Sequence, residues 1–144
     1  MAWKYMSPIA TIIAACLFAG CGGKSTGPER AAIHGHVTLD GQDISVGSII
    51  FTPAAGSKGQ PAGGAIQDGK YAIKAEQGPT LGPQSVEIHS ERKTGKKIQA
   101  AMRDKGELMD ETVEAIPAQY NQRTTLTYEV KSGDNEQDFD LKSR

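Results

Sequence analysis

Ala62-Gly63-Gly64-Ala65-Ile66-Gln67-Asp68-Gly69-Lys70-Tyr71-Ala72-Ile73-Lys74-Ala75 is the stretch whose reading decides the fold. Asp68-Gly69 sits between two short segments, the arrangement of a two-residue hairpin turn that needs positive φ at both central positions. Beyond the turn Tyr71 and Ile73 fall on one side, while Lys70, Ala72 and Lys74 fall on the other. A period of two is the mark of a half-buried strand.

The same pattern repeats outward in both directions. Upstream, Ile33, Val37 and Leu39 share one face, with Gly35 in their row, and His34, His36 and Thr38 share the other before an Asp40-Gly41 turn. Ser48 to Thr52 is a β-branched and aromatic run stopped by Pro53. Downstream, Val86 and Ile88 alternate with Glu87 and His89; Leu126, Tyr128 and Val130 alternate with Thr127, Glu129 and Lys131. A Gly133-Asp134-Asn135 turn precedes Phe139 and Leu141, which alternate with Asp138 and Asp140. Seven short strands with turns between them predict an all-β domain, a β-sandwich over one thin core.

Arg92 to Asn121 breaks the pattern: it is charged, helix-compatible and poor in strand formers. The expectation is one long, partly helical insertion, with Ile98, Ala101 and Met102 along one side of a short helix. Leu108, Met109, Val113 and Ile116 would pack a second turn or pin a loop. Such an insertion is either a functional loop or a cover over a sheet edge, and the cover is preferred because no catalytic-type polar cluster lies within it.

The totals of the chain average over unlike parts. It has 144 residues, a formal net charge of -1, two cysteines and one tryptophan. One domain is the default at this length, and near-neutrality argues against nucleic acid as a partner. Residues 1–20 carry only Lys4 as a charge, then an apolar run from Ile9 to Ala19 that is too short to span a bilayer at ~20 residues. A basic start, a short apolar stretch and a small-residue exit describe a secretory signal peptide. Its exit, Leu17-Phe18-Ala19-Gly20-Cys21, resembles the lipobox of bacterial lipoproteins, with Phe18 where leucine is usual. The resemblance implies cleavage before Cys21 and attachment of fatty-acyl (palmitate-type) chains there, on a diacylglycerol. Ile13-Ala14-Ala15-Cys16 is a competing frame, but Cys21 opens directly onto the polar stretch Gly22 to Pro28. Residues 21–30 then read as lipid anchor and flexible tether, and 31–144 as the folded domain. Gly22 is not the aspartate that resembles an inner-membrane retention signal, so an outer-membrane placement in the cell envelope is the expectation. Gly23-Lys24-Ser25 is not a P-loop, because Phe18 stands where the motif needs glycine.

Ile33-His34-Gly35-His36-Val37-Thr38-Leu39-Asp40-Gly41, Ser48 to Pro53, Asp68 to Ile73 and Gly82 to Ile88 together resemble carboxypeptidase regulatory-like domains. Ile116 to Asn121 and the closing Phe139-Asp140-Leu141 are similar to small bacterial lipoproteins of this type. The resemblance implies a seven-stranded transthyretin-like (prealbumin-like) sandwich and a non-enzymatic accessory or adhesive role. Gln84 stands where an aromatic is common in the family, which implies a looser corner.

Candidate site residues are few. His34 and His36, at i and i+2, put two imidazoles on one strand face, which suits copper or zinc given further ligands, though an exposed His-x-His pair is ordinarily a solvated face. Glu107, Asp110, Glu111 and Glu114 lack calcium-loop spacing and read as a solvated acidic face. Arg92, Lys93, Lys96 and Lys97 are candidate contacts for anionic headgroups or envelope polymer, and Tyr120 is the one aromatic outside the core pattern. No Gly-x-Ser-x-Gly elbow occurs, and the chain ends Leu141-Lys142-Ser143-Arg144 instead of the Tyr-Arg-Gly-Ser tail of transthyretin-fold hydrolases. The expectation is therefore a non-enzymatic, membrane-anchored lipoprotein without a cofactor. Its role is structural or binding, or it recognises polysaccharide or peptide through Arg92–Asn121.

Overall fold

A computed structural model describes residues 27–99 and 108–144. Cys16, Cys21 and the leader of residues 1–20 lie outside the described residues, as do Ala101, Met102 and Glu107. The described chain is all-β: β1 (Ala32–Leu39), β2 (Gln42–Asp43), β3 (Val46–Pro53), β4 (Ala62–Gln67), β5 (Lys70–Ile73), β6 (Gly82–His89), β7 (Glu91–Gln99), β8 (Leu108–Glu114), β9 (Thr127–Val130), β10 (Asp134–Glu136) and β11 (Phe139–Leu141). A 3₁₀ turn covers Ala118–Tyr120. All seven expected segments form strands; β2, β7, β8 and β10 are additional.

Two turns fix the local register. Asp40 and Gly41 have φ of 53° and 80°, and Asp68 and Gly69 have 47° and 75°, so both corners are type I′. Strand order in the main sheet is β10-β1-β5-β4-β3-β6-β9, with β11 and β2 also paired to β1. β10 and β11 run parallel to β1, while β5 lies antiparallel on its other side. Between β4 and β5 the ladder has one pair, Gln67↔Lys70, flanking the turn. The sheet curls there, and its two halves close over a common core.

Ile33 and Val37 of β1, Tyr71 and Ile73 of β5, and Phe139 and Leu141 of β11 supply one side of that core. Ile49 and Phe51 of β3, Ile66 of β4, and Val86 and Ile88 of β6 supply the other. The Tyr71 ring joins them, 6.2 Å from Phe51 and 6.4 Å from Phe139 between centroids. Its hydroxyl donates to the Gln137 carbonyl at 2.7 Å, and burial pushes its phenol pKa upward, so it stays neutral.

The insertion corrects the expectation of helix. β7 and β8 form a separate antiparallel ribbon that, among the described residues, pairs with neither edge of the main sheet. A two-stranded ribbon with both faces open has no buried row, which removes the period-two signal on which a sequence reading depends. Glu29 and Arg30, the last residues of the expected tether, contact the body. Arg30 bridges Thr80, Leu81 N–H donates to the Glu29 carbonyl, and Arg30 Nη1 donates to the Gly78 carbonyl at 2.7 Å. Gln84 does not loosen its corner: it is 1% exposed, with Nε2 donating to the Thr80 carbonyl at 2.9 Å.

Candidate functional site

The ribbon leaves the body where β6 ends, and one carboxylate holds that junction. Glu114 Oε1 accepts the backbone N–H of Ser90 and of Ile116, each at 3.0 Å, and Oε2 lies 2.9 Å from His89 Nδ1. Ser90 Oγ donates to the Val46 carbonyl at 2.7 Å, and Ala115 N–H donates to the Ser90 carbonyl. Burial alone would raise the pKa of Glu114. The two amides and the neighbouring imidazole outweigh it and hold the group below the usual carboxylate range. The root is therefore a charge-assisted clamp rather than a loose hinge.

Along the shaft, Arg92 pairs with Val113, Lys93 with Thr112, Lys97 with Asp110, Ile98 with Met109 and Gln99 with Leu108. The register shifts between Lys93 and Lys97, where Gly95 has φ of 83°. Three residues there oppose one, a bulge that increases local twist. Thr94 Oγ1 closes it by donating to Glu111 Oε2 at 2.6 Å. Lys93 and Lys97 both reach Asp110, at 2.7 and 2.5 Å. Their ammonium groups draw its pKa from an ordinary 3.8 down to about 2, and Asp110 in turn raises that of Lys93.

The four expected basic residues are thus brought onto one strand but divided in use. Lys93 and Lys97 are committed to Asp110, while Arg92 and Lys96 have no carboxylate partner among the described residues. The acidic group is also committed: Asp110 to lysines, Glu111 to Thr94 and Glu114 to the root. Its described members are not the simple solvated face expected. What the sequence reading missed is apolar. Ile98, Leu108, Met109 and Val113 are 42%, 58%, 50% and 38% exposed, so only Ile116 of the expected packing set enters the core. These exposed residues do not form one alternating row, so the sequence carries no period-two signal that would have found them.

His34 and His36 lie together on the open face of β1, as their spacing requires, but each has its own carboxylate. His34 Nδ1 is 3.3 Å from Asp134, and His36 Nε2 is 3.2 Å from Asp43. His89 is on β6 in the other half of the sheet, beside Glu87 and Glu114. Among the described residues no three histidine, cysteine or acidic side chains group as metal ligands. Tyr120 is not displayed: it packs on the core, and its hydroxyl accepts the Lys142 N–H at 3.1 Å.

Two poles result. The chain enters at the Glu29–Arg30 contact with Thr80–Leu81, just before β6 begins at Gly82. The ribbon root is at the other end of β6, after His89, which at ~3.3 Å per residue is about 25 Å away. No helix among the described residues is long and apolar enough to cross a membrane. No protein-family model, curated protein or solved structure matches the chain.

Proposed function

We propose that the chain is a membrane-anchored, non-enzymatic lipoprotein of the cell envelope. A transthyretin-like sandwich would be its scaffold and the β7–β8 ribbon its contact element. The lipobox-like Leu17 to Cys21 supports the anchor, and the seven expected strands over one core support the scaffold. The three histidines favour a non-catalytic role, since His34 and His36 each face a separate carboxylate and His89 lies apart from them on β6. The observation that carries the reading is polarity: a clamped ribbon stands at the end of the molecule opposite the chain's point of entry.

An alkyne fatty acid fed to cells expressing the full chain tests the anchor. Label should appear on the natural sequence and on Cys16→Ala but not on Cys21→Ala; label retained by Cys21→Ala overturns it. For the ribbon, residues 91–114 are replaced by a two-residue turn and the two chains are compared on a glycan array and in pull-downs from envelope extracts. Capture that disappears with the ribbon supports the contact role, and capture that survives refutes it. Glycan binding lost with the ribbon would select the alternative, a polysaccharide-recognising accessory module.

A further inference from the structure

We propose that the ribbon joins copies of this chain side by side, the free edge of β8 in one taking β7 of the next. The pairing would be antiparallel and in the register the hairpin already uses. Among the described residues β7 and β8 each have one strand partner, which leaves an outer edge of each open to a further strand.

Charge chooses between the possible edge pairings. β7 carries Arg92, Lys93, Lys96 and Lys97 against Glu91, whereas β8 carries Asp110, Glu111 and Glu114 and no cation. β7 against β7, or β8 against β8, sets like charges opposite each other; β8 against a neighbour's β7 in the hairpin register sets Lys97 opposite Asp110, with Glu91 opposite Glu114 at the root as in the hairpin itself. The chain itself displays the match, since Lys93 and Lys97 already meet Asp110 across the hairpin.

Direction agrees with charge, and here the inference rests on the lipid-anchor reading. Copies held in one membrane stand the same way up, root beside root. β7 runs from root to tip and β8 returns, so neighbours in that orientation meet β8 against β7 antiparallel. An antiparallel pairing of like strands would need copies standing in opposite senses, and a parallel one would set like charges side by side. In the shared register, Met109 is flanked by Ile98 on both sides, its own and the neighbour's, which covers apolar surface now exposed. Each copy offers one edge of each kind, so the contact is head-to-tail and extends as a row. Confinement to a membrane raises the effective concentration for a contact of this small size.

The test mixes two full-length chains of different tag length, one Ile98→Cys and one Met109→Cys, in the same cells under mild oxidation. Opposite-charge alignment worth ~1 kcal/mol favours the mixed disulfide dimer about five-fold over the statistical two-to-one, so with equal expression it should be about ten-fold more abundant than either like dimer. A mixed dimer at no more than the statistical twice the yield of each like dimer, or no dimer, overturns the proposal. The same two variants on a Cys16→Ala/Cys21→Ala background, concentrated in detergent, separate the two readings. A mixed dimer there without fatty-acid labelling in cells retains the ribbon contact and refutes the anchor. Labelling without a mixed dimer in either setting does the reverse. Both substitutions are at exposed positions, and 1 M salt should lower the mixed yield while leaving the fold's circular dichroism unchanged.

Discussion

Gly35 belongs to the inward row of β1, between Ile33 and Val37, and a side chain there has nowhere to go. The link between β10 and β11 crosses at this point: Gln137 N–H donates to the His34 carbonyl, and a Cβ on Gly35 would overlap the Gln137 carbonyl. Gly35→Ala should therefore force backbone apart and cost about 3 kcal/mol. Gly41 is the contrasting case, with φ of 80° and no atom within 4 Å of its Cβ position. Gly41→Ala should cost about 1 kcal/mol, from left-handed strain alone. Urea titration of the two variants checks the ranking, and equal midpoints would refute it. The turn role of Gly41 was legible because Asp-Gly carries a local signal. That of Gly35 was not, since the atom that excludes a side chain comes from a residue about a hundred positions away. Gln84 was misread for the same reason: its partner Thr80 is local, but its burial depends on strands the sequence does not place.

At the scale of elements, strands with one buried face were readable and the ribbon was not. Ile49↔Ile88 and Phe51↔Val86 pair on one face because alternation had already sorted them inward. β7 offers Glu91-Arg92-Lys93-Thr94-Gly95-Lys96-Lys97, which has no apolar row to sort. Its order comes instead from polar anchors, which makes it titratable. The carboxylate of Asp110 is depressed from 3.8 to about 2, so its ion pairs are fully present above pH 4 and are lost as pH falls toward 2. A carboxyl NMR titration should find Asp110 near pH 2, and Lys97→Ala should move it upward; an unmoved midpoint would exclude the pair. Glu114→Ala should free the root without opening the core. Amide exchange at Ser90 and Ile116 should rise at least about ten-fold, as expected for losing ~1.5 kcal/mol of charge-assisted bonding, with Val86 and Ile88 unchanged.

Two segments far apart in sequence close the described fold. Glu29 and Arg30 dock on Thr80–Leu81, so a chain beginning at Ala31 should be less stable by about 2 kcal/mol than one beginning at Gly27, read by thermal melting. At the other end Phe139 and Leu141 are 6% and 1% exposed and complete the core against β1. Removing them costs about 2–5 kcal/mol each, comparable with the total stability of a small domain. A chain ending at Gly133 should show no cooperative melt, and a native-like transition would contradict this placement of β11.

The parallel docking of β10 and β11 on β1 also sets a clock. β1 precedes these two partners by about a hundred residues of synthesis, some 5–20 s at ordinary ribosomal speed. During that interval no intermediate length can seal the core. A polypeptide threaded N-terminus first through a narrow pore would remain extended until β10 and β11 emerge, and the topology would itself hold the chain in a translocatable form.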